Sequence, residues 1–400
     1  MQGVYAASKK IFRLLVNGCA TVRSHSPVPA SLEEKVRVPG FPGVRGWGNP
    51  LSHCLRESLA EALRQELAVQ AGKPAGKLAL KSEDVLVLSG GSDNGAFGAG
   101  LLCGWTEHGD RPTFKLVSGC STGALIGLFA FLGPTYDGQL KEAYTTISAK
   151  NIFKAKKIFS ILTSESIVDS QPLAELIAKY VNEKMLEDIA AGHRKGRRLF
   201  ASTTQLDSQR LVVWDLGAIA ASGHPQALAL FRKVLLASSA LAGVFSPVYF
   251  EVQAEGQTYG EMHVDGATAA EAITYEHAVQ PLTAIQEVET PALQRPRRLF
   301  IIRNGQLRPE WQEVKPHVLS IMPRALATLI KNQSVGDLYR LYYEAQQDGF
   351  DYHLAIIPED FQVPEHEKFD PAYMNQLFDL GYEMARRGCP WAKQPPRLNE

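Results

Sequence analysis

The stretch VLVLSGGSDNGAFGAGLL, residues 85–102, runs from an uninterrupted apolar segment through five glycines into a second apolar segment. The first run predicts a strand over 85–89, buried on both faces as in a parallel sheet. The second predicts a helix over about 97–108. Glycine is costly inside regular structure, so a cluster of it between strand and helix implies that peptide N–H groups approach something closely. Two uses fit: a cradle for a phosphate, or donors to the oxyanion of an acyl transfer. No Lys-Ser/Thr pair closes the loop as in a Walker sequence, and the spacing matches the dinucleotide fingerprint only loosely.

The alternation continues outward from this stretch. A strand over 114–118, a sharp turn and a helix over about 123–132 complete two strand–helix units, the arrangement of a parallel α/β sheet with helices on both faces. Upstream, LRESLAEALRQELAVQ (55–70) has amphipathic helical spacing. Residues 20–50 are rich in Pro and Gly and predict an extended arm laid over the surface. Downstream, helices are expected over about 139–148 and 168–184. RRLFASTTQL and RLVVWDLG read as two strands joined at Asp207-Ser208-Gln209. A helix near 225–236, the strand PVYFEVQ and a short strand ending at His263-Val264 come next, then RRLFIIRN, a long helix over about 320–347, DYHLAIIP and a last helix near 370–387. No composition break divides residues 51–400, which read as a single domain behind an N-terminal extension, residues 1–50.

Lys plus Arg and Asp plus Glu number 42 each. That balance supplies no net field for nucleic acid or for an anionic membrane surface. No apolar stretch reaches the roughly 18 residues needed to span a bilayer. The five cysteines suggest neither a disulfide framework nor a zinc site. Cys19 follows two lysines, a short apolar stretch and Gly18. This resembles the end of a bacterial lipoprotein signal, which would make the chain membrane-anchored or periplasmic. Arg13 interrupts the apolar region, so an ordinary extension on a cytoplasmic protein is the alternative.

KLVSGCSTGALIGLF places Gly119-Cys120-Ser121-Thr122-Gly123, a G-x-S-x-G sequence, between a predicted strand and a predicted helix. That is the context this pattern requires, with small residues where the chain reverses and Ser121 held out at a helix N-terminus. A nucleophilic serine needs a base. Asp265 in MHVDGATAA follows a short apolar strand and precedes Gly266-Ala267, which suits a carboxylate aimed into a site; a local turn cap, common for Asp in such turns, is the other reading. His353 in DYHLAII is the alternative base. Trp105 and Trp214, and the apolar stretches 158–168 and 228–238, read as core, or for the two stretches as acyl-pocket walls or a surface resting on lipid.

Taken together, VLVLSGGSDNGAFGAGLL, VSGCSTGALIG and HVDGA, in this order, resemble the patatin-like phospholipases. LASSALAGVFSPVYFE (236–251) is similar to that family's Ala-Ser-rich stretch closing on a Pro. The resemblance covers roughly residues 84–270 and implies a three-layer α/β/α fold with a central mostly parallel sheet. It also implies an ester hydrolase acting on lipids or small esters by a Ser–Asp dyad: Ser121 as nucleophile, Asp265 as general base, and Gly90, Gly91 and Ser92 as oxyanion donors. Gly95, Gly119, Gly123 and Gly266 are then turn residues. The reaction needs water, and neither cofactor nor metal. Partners implied are the lipid or ester substrate and a peripheral membrane contact, with no nucleic acid.

Two positions depart from the family pattern. A third successive glycine is replaced by Ser92 and a basic residue by Asn94, which leaves backbone donors intact but weakens attraction to a phosphate headgroup. Asp93 adds a negative charge near the site unless it points to solvent. A Ser–His–acid esterase using His353 and a non-catalytic lipid-binding relative are the alternatives.

Overall fold

The computed structural model describes residues 26–71, 82–156, 164–270, 272, 295–309 and 311–396. Its strands, in chain order, are β1 (Arg45–Trp47), β2 (Glu83–Leu88), β3 (Leu116–Cys120), β4 (Lys154–Ala155), β5 (Val168–Asp169), β6 (Arg198–Gln205), β7 (Arg210–Asp215), β8 (Val248–Ala254), β9 (Gln257–Asp265), β10 (Arg297–Arg303) and β11 (Asp351–Ile356). β4 and β5 form a separate small ribbon, and the others make one nine-stranded sheet. The strands β6-β3-β2-β10-β11 are mutually parallel, while β1, β7, β8 and β9 add antiparallel pairs. The central sheet is therefore mostly parallel and the architecture α/β, as the strand–helix alternation predicts.

The longer helices are α1 (His53–Ala71), α2 (Gly95–His108), α3 (Thr122–Leu132), α4 (Asp137–Thr145), α5 (Gln171–Tyr180), α6 (Glu183–Arg194), α7 (Ala227–Ser238), α8 (Val318–Asp348) and α9 (Pro371–Arg386). Successive residues of the parallel strands point to opposite faces. Leu86, Leu88, Val117, Leu199, Phe300 and Ile302 face the layer containing α2, α3 and α9. Val85, Val87, Leu116, Phe200, Leu299 and Ile301 face Leu55 and Leu59 of α1 and Leu338 and Leu341 of α8. Both faces are covered, which is why these strands read as continuous apolar runs. Each fully buried Leu or Ile among them is worth roughly 1.5–3 kcal/mol relative to exposure.

The glycines of the opening stretch divide by task. A Cβ on Gly100 would meet the backbone of Phe378, and one on Gly104 the backbone of Tyr382. These two positions, four apart on one face of α2, let α9 approach closely. They serve packing and not the loop.

Three expectations need correction. The segment over 168–184 is not one helix: β5 opens it, α5 ends at Tyr180, and Asn182 starts α6 by accepting a hydrogen bond from Met185 N–H at 3.0 Å. A side-chain cap at Asn182 competes with helix continuation there. The Pro/Gly-rich segment does more than lie over the surface. Arg45–Trp47 joins the sheet antiparallel to β7, and Val28, Val38, Phe41, Val44 and Trp47 are buried. Finally, the strand before Asp265 is nine residues long, extended outward by its pairing with β8.

Candidate active site

β2 and β3 are parallel neighbours, so the turns that follow them lie side by side at the carboxyl ends of the strands, where open α/β sheets bind ligands. After β3 the chain reverses at Ser121, whose backbone has φ 53° and ψ −127°. A non-glycine residue with positive φ is strained, and such strain collects at functional sites. The tightness of the reversal explains the flanking glycines. A Cβ on Gly119 would meet the carbonyl of Gly123, and one on Gly123 would meet the carbonyls of Leu88 and Ser89.

The position of Asp265 follows from unequal strand lengths. β6 pairs with β3 only as far as Ser202, which lies opposite Cys120. From Thr203 onward the same edge of β6 is taken by β9, running the other way and ending with Asp265 opposite Thr203. The ends of β3 and β9 therefore meet head to head. Asp265 is 3% exposed. Its Oδ1 accepts a hydrogen bond from Ala267 N–H at 2.9 Å and lies 3.4 Å from the Cys120 thiol. Gly266 is needed here, because a Cβ would press on Ser202 Oγ and, at 3.0 Å, on Cys120 Sγ.

The Ala-Ser-rich stretch at the end of α7 holds both residues. Ser238 Oγ accepts the Ser121 N–H at 3.0 Å, and the Ala240 carbonyl accepts the Asp265 N–H at 2.8 Å. Two positions on one turn thus fix the backbone of the serine and of the aspartate.

The glycine loop has a brace of its own. Gly91 (φ 148°) and Ser92 (φ 57°) both take positive φ. A Cβ on Gly91 would meet the Asn304 carbonyl, and one on Gly98 would meet the Asn304 side chain at 2.5 Å. Asn304 follows β10. Its Nδ2 donates to the Ser89 carbonyl at 3.0 Å, its Oδ1 accepts the Gly98 N–H at 3.1 Å, and its backbone N–H donates to Ser89 Oγ at 2.9 Å. Sequence reading passed over Asn304, although a polar residue directly after the apolar strand RRLFIIR was the available signal. Gly95 packs against Thr122, whose hydroxyl hydrogen-bonds Tyr144 Oη at 2.7 Å beneath the elbow.

Gly90, Gly91, Ser92, Asn94, Ser121 and Asp265 line one cavity of about 860 Å³. Its remaining wall is largely apolar, with Leu125, Leu128, Phe129, Leu173, Ile177 and Phe245 among the contributors. That size lies in the upper part of the ~300–1,000 Å³ range of ligand pockets. No histidine is among its described lining residues. His353 sits on β11, its ring against Phe300 and its Nδ1 2.9 Å from the Asp351 carbonyl, outside the cavity. Trp105 and Trp214 are buried in the core, as is the apolar face of α7. Of the stretch 158–168, residues 158–163 lie outside the described residues, as does Cys19, while Ile167 lines the cavity.

Asp93 points neither to solvent nor into the cavity. It is buried, accepts the Phe369 N–H at 2.9 Å and has the Lys368 ammonium at 3.6 Å. Burial works against its charge, but a hydrogen bond from Glu365 and the Lys368 charge hold its carboxyl below the usual range. Burial and the neighbouring Asp93 push the Glu365 carboxyl up to about 7. Of the two carboxyls Glu365 holds a proton more tightly, and Asp93 carries its charge beside Lys368, away from the cavity lining.

Residues 86–276 match the family model of the patatin-like phospholipases, a family of lipid acyl hydrolases. Among solved structures the chain is similar to VipD from Legionella pneumophila, with 11% identity and a TM-score of 0.36 over 77% of this chain and 67% of VipD. It is also similar to the type III effector ExoU, with 13% identity and a TM-score of 0.20 over 77% of this chain and 54% of ExoU, about half of that protein's length. No curated protein matches the chain.

Proposed function

We propose that this chain, which carries a patatin-like phospholipase domain over residues 86–276, is a serine acyl hydrolase that cleaves carboxyl esters of lipids with Ser121 and Asp265. The observation that carries the reading is the turn Ser238–Ala240, which ties the backbone of both residues in the lining of one largely apolar cavity.

In the proposed reaction the acyl chain lies along the apolar wall with its carbonyl beside Ser121. Ser121 Oγ attacks the carbonyl carbon as its proton passes to the Asp265 carboxylate. The negative charge that develops on the carbonyl oxygen is met by the backbone N–H groups of Gly90, Gly91 and Ser92. Donors of this kind, held rigid in advance, are worth about 3–4 kcal/mol each in the transition state. The leaving alcohol takes the proton from Asp265 as the C–O bond breaks, giving an acyl-serine. Water then attacks the acyl carbon, its proton moves by way of Asp265 back to Ser121 Oγ, and the free acid departs.

The bracing by Asn304 supports the loop's role, because catalysis by backbone dipoles depends on their being fixed before the charge appears. The placement of His353 favours the dyad over a triad using that residue. The test is hydrolysis of esters of graded acyl length and of a phospholipid, with Ser121→Ala and Asp265→Asn in parallel. Loss of turnover by about a thousandfold or more in both is expected for residues that act as one unit. A fluorophosphonate that labels Ser121 in the wild type would separate this reading from a non-catalytic lipid-binding relative. Full turnover in either variant would end the proposal.

A further inference from the structure

The N-terminal half of α8 is apolar on the side that faces water. Val318, Ile321, Met322, Ala325 and Leu329 follow one another at offsets of 0, 3, 4, 7 and 11, which is one stripe of a helix. In a soluble protein such a stripe is ordinarily the buried one. Here Val318 is 70% exposed, Ile321 47%, Met322 63% and Leu329 68%, and just before the helix Trp311 is 89% exposed. Large apolar surface of this kind marks an interaction site.

Two further features identify the occupant. Val318 and Met322 belong both to the exposed stripe and to the wall of the active-site cavity, and Leu326 and Ile330 continue that wall inward. The exposed apolar stripe therefore shares residues with the cavity that Ser121 lines. Between Glu313 and Asp337 the chain has no acidic residue, but it has Lys315, Arg324 and Lys331. A helix with an apolar face, basic flanks and a neighbouring exposed Trp is the composition of a segment that lies in the plane of a bilayer interface. Among the described residues no helix is long and apolar enough to cross a membrane.

We propose that Trp311 and the stripe Val318–Leu329 form a bilayer-docking surface, seated among lipid headgroups and favouring anionic ones, that delivers acyl chains directly to the cavity. This rests on the reading of the cavity as an acyl site, but its test does not require turnover.

The experiment is co-sedimentation with phosphatidylcholine vesicles, with and without phosphatidylglycerol, using the full chain carrying Ser121→Ala so that the lipid stays intact. Ile321→Glu with Leu329→Glu is compared with that parent, and neither position lines the cavity. The expected result is at least about a tenfold loss of vesicle affinity in the double variant, since both side chains leave the apolar layer. Lys315→Gln with Arg324→Gln should remove the preference for phosphatidylglycerol. In chains retaining Ser121, Ile321→Glu with Leu329→Glu should hydrolyse a short, monomeric soluble ester within about twofold of wild type, which shows that the fold is intact. Vesicle binding unchanged by the double variant, or absent in the parent, would overturn the proposal. So would a concentration-dependent dimer that the same two substitutions abolish, which would assign the stripe to a second copy of the chain. Failure of ester turnover with vesicle binding intact would count against the proposed reaction and leave the docking surface standing.

Discussion

Replacing Ser121 by Gly should make the folded protein more stable than replacing it by Ala, although both changes remove the same hydroxyl. At an ordinary backbone position the order is reversed: Ala is favoured over Gly by about 0.4–1 kcal/mol, because it leaves the unfolded chain less freedom to lose. Position 121 is not ordinary, with φ 53° and ψ −127°. An L-residue held there costs on the order of 1–3 kcal/mol, and glycine escapes that cost. Subtracting the entropy handicap of glycine leaves Ser121→Gly ahead of Ser121→Ala by about 1 kcal/mol, roughly a fivefold difference in the folding equilibrium constant. Neither variant can form an acyl-enzyme, and the Ser121 N–H that Ser238 Oγ caps is a backbone group present in both. The comparison therefore isolates the backbone. Urea unfolding with matched m-values measures the difference. A Ser121→Ala variant more stable than Ser121→Gly by half a kilocalorie or more would mean that the elbow is unstrained, and the account of why Gly119 and Gly123 flank the serine would fail with it.

Asn304→Ala should strand the Ser89 carbonyl and the Gly98 N–H, a loss of about 1–3 kcal/mol for each buried group left unpaired. Because the glycine loop loses its brace, kcat should fall by about tenfold or more while KM changes little; an unchanged kcat would show that the loop holds itself. His353→Ala should keep ester turnover within about twofold, since the ring lies against Phe300 outside the cavity, and a collapse of activity with a normal melting curve would revive a histidine base. For Glu365 the folded pKa of about 7 is above the ordinary 4.5, so the proton is held more tightly in the folded state. The stability it contributes is fully present below about pH 4.5 and is lost as the pH rises through 7. Thermal unfolding followed from pH 4.5 to 8 should show that decline in the wild type and a flatter curve in Glu365→Gln, whereas parallel curves would place the proton elsewhere.

Most of the elements are legible in the sequence because their causes are local. The apolar runs at 85–88 and 299–302 belong to strands covered on both faces, and the spacing of 55–70 belongs to a helix covered on one. The reversal at Ser121 demands small neighbours wherever it occurs in a chain. Reading 168–184 as one helix failed because apolar spacing continues past Tyr180, while the chain opens as a strand at Val168–Asp169 and Asn182 caps a new helix. Reading 20–50 as a surface arm failed because Pro and Gly mark irregular backbone without saying whether Phe41, Val44 and Trp47 among them are buried.

The sequence by itself determined the α/β order of elements, the strained serine turn and the glycine-rich loop beside it, because each follows from steric rules acting within a dozen residues. Tertiary structure decided the rest. Cys120 and Asp265 are 145 positions apart and come together because β6 outruns β3 and β9 fills the remaining edge. Strand length and register, and not residue type, set that meeting. The bracing by Asn304 and the burial of Asp93 likewise depend on which loops the sheet order places side by side. The exposure of the α8 stripe belongs to the same class: periodicity shows that a helix has an apolar face, but only the packing of its neighbours determines whether that face meets protein or water.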